Sequence, residues 1–207
     1  MFELYRVEHV IRTEPQKLNF DFLDCLKYAI NRQFSNKIIL NVGLCIGLFD
    51  FENVGASRIM HVEGCTFTDT VFRLVIFRPF IGEILTGKIS QCDNTGAWIS
   101  MYFFADIFVS VENLPHPSRY IASDSCWIWD YETEDGVAEL YLEKGSDVRF
   151  KVIDMTFTDV PPLERQSDGD PLGSSTEVRQ VEPSFMLYGT MSECGLGCLS
   201  WWESNED

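Results

Sequence analysis

The feature that most constrains this chain is a proline set between two dense runs of apolar residues. Val71 to Phe77 is apolar on both faces apart from Arg73, the pattern of a central strand. The run stops at Pro79, which has no amide to extend a ladder. Gly82-Glu-Ile-Leu-Thr-Gly-Lys-Ile89 follows almost at once, with no linker composition between. Two β-rich domains are predicted, 1–80 and 81–207, joined stiffly enough to make a two-module arm.

The chain has 207 residues, 45% hydrophobic and 14% aromatic, which is enough to build two packed cores and excludes disorder as a description of the whole. Charge is divided unevenly. Residues 1–80 carry nine Lys/Arg and nine Asp/Glu, whereas 81–207 carry seven against 23, so the whole net charge of −16 lies in the second part. Phosphate binding gains affinity by releasing counterions onto basic groups. A region this acidic is not expected to hold nucleic acid by bulk attraction, only through a local patch. The longest apolar stretch, Ile38 to Phe49, is interrupted by Asn41 and two glycines and is too short to span a bilayer. Seven scattered cysteines and an amino terminus without a signal-peptide core predict free thiols in a reducing, intracellular setting.

In the first domain, residues 2–12 alternate as a strand. The set Phe22, Leu23, Leu26, Ala29, Ile30 and Phe34 recurs at helical spacing, with Asn19 or Asp21 as cap. Ile38 to Phe49 reads as one strand with a bulky face and a small face of Asn41, Gly43, Cys45 and Gly47, the latter allowing close approach by a neighbour. Residues 55–64 read as a loop with room for a short strand. The expectation is an α+β fold: an α/β sandwich of strand, helix and three antiparallel strands.

The second domain shows short strands divided by turns. Ile84–Ile89, Ala97–Tyr102 and Ile107–Val111 are followed by strands at 125–131, 138–142, 147–155 and 185–192. Such spacing predicts a β-barrel. Residues 161–184, with four prolines and no apolar period, read as a disordered surface insertion.

Gly82-x-Ile84-Leu85-x-Gly87-Lys88-Ile89, Gly96-Ala97-Trp98-Ile99 and Phe108-Val109…Leu114 together resemble the OB-fold RNA-binding barrel of the ribosomal S-one type. The preceding Val42-Gly-Leu-Cys-Ile-Gly-Leu-Phe-Asp50, and Val75-Ile-Phe-Arg-Pro-Phe-Ile-Gly-Glu83 leading into that barrel, look like the larger stalk subunit of eukaryotic and archaeal RNA polymerases. Cys126-Trp-Ile-Trp-Asp-Tyr-Glu132 and Gly195-Leu-Gly-Cys-Leu-Ser-Trp-Trp202 are similar to the polymerase III branch. The resemblance implies a non-catalytic stalk subunit in the nucleus. It would pair with a small helical subunit, dock on the polymerase III core through an amino-terminal tip domain, and weakly contact nascent single-stranded RNA during synthesis of tRNA, 5S rRNA and other small RNAs. The alternative is a free-standing OB-fold RNA-binding protein in RNA processing or translation, or the stalk subunit of another polymerase.

Candidate sites follow. Lys88, Trp98 and Phe108 would share the barrel's outer face, where aromatic rings stack bases and a lysine holds phosphate; packing beneath a partner is the competing reading. Thr95 and Ser110 occupy positions where such barrels often carry a further aromatic and a histidine. A tip loop over 54–64 would dock on the core through Arg58 and His61. The small face Gly43, Cys45 and Gly47, together with Trp201 and Trp202, is the expected partner interface. For the tryptophans, a ring closing the barrel's end is the equal alternative. Cys194-x-x-x-Cys198 lacks a second ligand pair for zinc and reads as buried thiols. No catalytic constellation, metal site, cofactor or membrane partner is expected, and the acids Asp130, Glu132, Glu134 and Asp135 read as a solvated hairpin tip.

Overall fold

The computed structural model describes residues 1–61, 63–133, 136–159 and 183–202. The chain divides into two compact units, Met1–Phe80 and Ile81–Asp207. Residues 161–182 of the expected insertion, and Glu134 and Asp135, lie outside the described residues.

The first unit is an antiparallel sheet covered by one helix. β1 (Phe2–Thr13), α1 (Phe22–Phe34), β2 (Lys37–Ile39), β3 (Gly43–Ile59) and β4 (Thr66–Phe77) assemble in the strand order β1-β4-β3-β2. Asp21 starts the helix by accepting from the amides of Leu23 and Asp24, a cap worth about 1 kcal/mol. The face of α1 bearing Leu26 and Ile30 packs on Ile11, Cys45, Phe72, Leu74 and Ile76. Each fully buried aliphatic side chain there contributes about 1.5–3 kcal/mol. On the other face of the sheet, Arg6 stands directly opposite Arg73. That juxtaposition would be repulsive, but Asp50 pairs with Arg73, and Glu52 bridges to Arg6 at 2.7 Å.

Two expectations change here. The predicted single strand over Ile38 to Phe49 is a hairpin: Ile38 pairs with Leu44, and the chain turns through Leu40 and Asn41, with Asn41 at φ +60°. The predicted loop over residues 55–64 is strand through its first half, longer than the short strand expected within it. β3 runs to Ile59 through four register irregularities opposite β4, and only the turn after it, closed by the Gly64 amide on the Met60 carbonyl, is irregular.

The second unit is a closed five-stranded barrel with a small added sheet. β5 (Ile84–Asp93), β6 (Gly96–Met101) and β7 (Phe104–Ser110) form an antiparallel meander. β8 (Ser118–Ile121), β9 (Cys126–Thr133) and β10 (Gly136–Leu142) form a separate sheet in the order β10-β9-β8. The chain then returns to the barrel as β11 (Asp147–Phe157) and β12 (Phe185–Thr190), and a two-residue β13 (Gly197–Cys198) follows on β11. β12 lies parallel to β7 and antiparallel to β11, and β11 pairs with β5, so no barrel edge is left open. Numbered within the barrel, the circuit is 1-2-3-5-4-1, the Greek-key closure of an OB-fold. Leu85, Ile89, Ile99, Ile107, Val109, Phe150, Val152, Phe185 and Leu187 fill its interior.

Residues 126–142, expected as barrel strands, therefore belong to the added sheet. Alternation predicts a strand with one buried face but does not name its neighbour. Trp127 anchors that sheet, donating its indole N–H to the Asp93 carbonyl at 3.0 Å.

Candidate nucleic-acid interface

Trp98 on β6 and Phe108 on β7 are directly paired across the ladder, their rings tilted with centroids 4.8 Å apart. Both are half-buried. The pair is held from one side by the β5–β6 turn, where Asp93 accepts from the Thr95 amide at 2.9 Å, the Gly96 amide at 3.1 Å and the Trp98 indole at 3.2 Å. Burial pushes the Asp93 carboxyl up, but these donors, led by Thr95, outweigh it and hold the group below its ordinary value. A carboxylate that accepts several hydrogen bonds stays charged and fixes its donors.

Lys88 on β5 pairs with Ser100, two residues from Trp98, so register puts it on the platform's face. Its ammonium lies 3.5 Å from Asp147, which takes up part of the charge a phosphate would use. Asp106 lies between Phe104 and Phe108 on β7, and burial raises its carboxyl above the ordinary range. The face can thus stack an aromatic base, with one lysine nearby and acids around it.

One aromatic was missed. Tyr102 is 95% exposed at the β6–β7 turn, with φ +28°, and lines a cleft of about 380 Å³ with Thr86, Lys88, Phe103 and Asp147. Strand alternation continues through Tyr102 in the sequence, whereas β6 ends at Met101 and the chain turns at Tyr102-Phe103.

The remaining candidates fall in different places. Arg58 stands on β3 with its guanidinium 3.0 Å from Asp69, and His61 is exposed in the turn beyond. Gly43, Cys45 and Gly47 do admit a close neighbour, but that neighbour is the same domain. A Cβ at Gly47 would meet Asn31 of α1 and Ser35, which caps that helix, at 3.4 and 3.5 Å, one at Gly43 would meet the Ile76 side chain at 2.8 Å, and Cys45 is fully buried. This face is filled from within and is not free for a partner. Trp201 packs against Trp129 at 5.4 Å, while Trp202 donates to the Leu196 carbonyl at 2.9 Å and remains 40% exposed. Cys198 is buried, but Cys194, expected to be buried, is exposed because it precedes β13. Among the described residues, no group of three or more His, Cys, Asp or Glu is placed to hold a metal ion, and no helix is long and apolar enough to cross a membrane.

An α/β domain followed along the chain by a closed OB-type barrel defines a class of two-domain α+β proteins. Residues 83–202 match the family of RNA polymerase III subunit Rpc25. The chain is 38% identical over 205 residues to DNA-directed RNA polymerase III subunit RPC8 of Bos taurus, covering 99% of this chain and 100% of the relative. To the subunit of the same name in Saccharomyces cerevisiae it is 34% identical over 215 residues, covering 98% and 100%. An archaeal relative, DNA-directed RNA polymerase subunit Rpo7 of Sulfolobus acidocaldarius, is 23% identical over 158 residues, covering 74% and 80%. The chain belongs to the Rpc25 family of RNA polymerase III subunits.

Proposed function

We propose that this chain is the larger stalk subunit of nuclear RNA polymerase III, serving as a bracket with no chemistry of its own. The observation that carries the reading is similarity along the full length of polymerase III subunits, across both the α/β domain and the barrel. In this role the first domain docks on the polymerase core, with Arg58 and His61 as exposed contacts. A small helical subunit completes the stalk, and the exposed Trp202 is a candidate contact for it. The barrel offers Lys88, Trp98 and Phe108, with Tyr102 beside them, to emerging single-stranded RNA. Asp147 beside Lys88 and the acidic surroundings keep that contact weak, so the polymerase must deliver the RNA. The subunit supports initiation on genes for tRNA, 5S rRNA and other short transcripts.

The test is transcription in a nuclear extract depleted of the chain. Initiation on a tRNA gene should fall and return when the chain is added back with its small partner, while extension of a preformed transcript continues. Loss of extension with intact initiation would refute the stalk role.

A further inference from the structure

The added sheet carries a cleft that the role above leaves unused. It measures about 300 Å³ and is lined by His116, Pro117, Trp129, Asp130, Tyr131 and Glu132. Its origin is a difference in strand length. β8 begins at Ser118, opposite Trp129, while β9 runs on to Thr133. The segment before β8 stays close, since the Asp130 amide donates to the Pro117 carbonyl at 3.0 Å.

The aromatic wall is fixed in place. Trp129 and Tyr131 meet edge-on at 4.9 Å, and Trp201 backs Trp129 at 5.4 Å. The Trp129 indole N–H also donates to the His116 carbonyl at 3.4 Å. Tyr131 remains 45% exposed. Of the two acids, Asp130 shares Arg119 with Glu139, whereas Glu132 has no ion pair among the described residues.

Aromatic faces attract cations through the ring quadrupole, and a neighbouring carboxylate adds to that attraction. The same carboxylates repel phosphate. The unit around the cleft holds seven basic residues against 23 acidic ones, so its field favours a positive partner and disfavours RNA at this position. We infer that this cleft receives an arginine or lysine side chain presented by a basic segment of a protein partner. Arginine fits better: its planar guanidinium can stack on the rings, and Glu132, which also lines the cleft, adds charge attraction. The inference rests on the added sheet alone and not on RNA contact by the barrel.

The test titrates the full chain with the peptide acetyl-Gly-Arg-Gly-Arg-Gly-amide, following tryptophan fluorescence and the Trp129 indole resonance. Saturable binding is expected, absent for the citrulline peptide, which keeps the shape but not the charge. Tyr131→Ala and Glu132→Gln should each weaken it at least about fivefold, Glu132→Gln without lowering the melting temperature, while Glu193→Gln, an exposed acid outside the cleft, leaves it unchanged. Equal weakening by Glu193→Gln would reduce the effect to diffuse charge and overturn the site. So would full binding by Tyr131→Ala. Spermine binding as tightly as the peptide would overturn the protein partner, and oligouridylate shifting the same indole would make the cleft an RNA surface instead.

Discussion

Gly197 lies flat beneath the ring of Trp201: a Cβ at this glycine would stand 2.7 Å from the indole Cε3. The backbone there has φ +93°, which disfavours any side chain. Gly197 also pairs with Arg149 of β11, so the contact fastens β13 and the turn Leu199–Trp201 to the barrel together. Gly197→Ala should therefore destabilise the protein by about 1–3 kcal/mol in thermal denaturation. In a Trp201→Ala background the same change should cost less, because the steric part of the penalty is gone.

The outer aromatic face can be separated from the fold by comparing two substitutions. Trp98 pairs with Phe108 and is tied to Asp93, so Trp98→Ala should lower both RNA affinity and stability. Tyr102 is almost fully exposed, so Tyr102→Ala should leave stability within about 0.5 kcal/mol. If Tyr102 stacks a base, its removal costs about 1–3 kcal/mol of binding to single-stranded RNA at low salt. Lys88→Ala should flatten the salt dependence by a slope of about 0.7 if the lysine meets a phosphate.

Asp93 predicts an acid response with a definite sign. Its carboxyl is depressed in the folded protein, so the stability it contributes is complete above the unfolded value, near about pH 4, and is lost as pH falls through the folded value. Asp93→Asn should cost about 1–2 kcal/mol at neutral pH by weakening the turn's hydrogen bonds. The gap between variant and natural protein should narrow as melting is followed below about pH 4.

Thiol chemistry should report burial. Cys194 is the exposed cysteine; the other six are buried, and burial pushes Cys45, Cys92 and Cys198 up to about 11. At about pH 8, one thiol per chain should react quickly with an aromatic disulfide reagent, and six only on unfolding. Rapid titration of more than one would contradict the packing of these cores.

Docking on the polymerase should depend on the end of β3. Arg58→Ala with His61→Ala should release the chain from core polymerase and leave its pairing with the small subunit intact. The exposed Arg58–Asp69 pair contributes little to folding, so stability should change by less than about 1 kcal/mol. Loss of both associations together would place the docking surface elsewhere.

How much of this could be read from residue order follows from what periodicity encodes. The helix was legible because Leu26 and Ile30 recur at its period, and the barrel meander because Ala97, Ile99, Ile107 and Val109 alternate inward. The β2–β3 hairpin was hidden because bulky residues keep alternating across the turn, so Ile38 and Leu44 appear to continue one strand while they face each other as partners. The signal was Asn41, a residue that tolerates positive φ, two positions before Gly43. The length of β3 was obscured by its bulges, each of which shifts the alternation by a residue. The platform residues Trp98 and Phe108 were legible from facing strands. The filling of Gly43 by β4 and of Cys45 and Gly47 by α1 and its cap was not, because a small face shows that something approaches without showing what.

The measurement that bears most directly on the central claim is affinity purification of the tagged, full-length chain from cells. A bracket in the polymerase III stalk should bring down the largest subunits of that enzyme and one small helical protein in equal amounts. Recovery of RNA-bound complexes without those large subunits, together with submicromolar RNA binding by the chain alone at physiological salt, would contradict it.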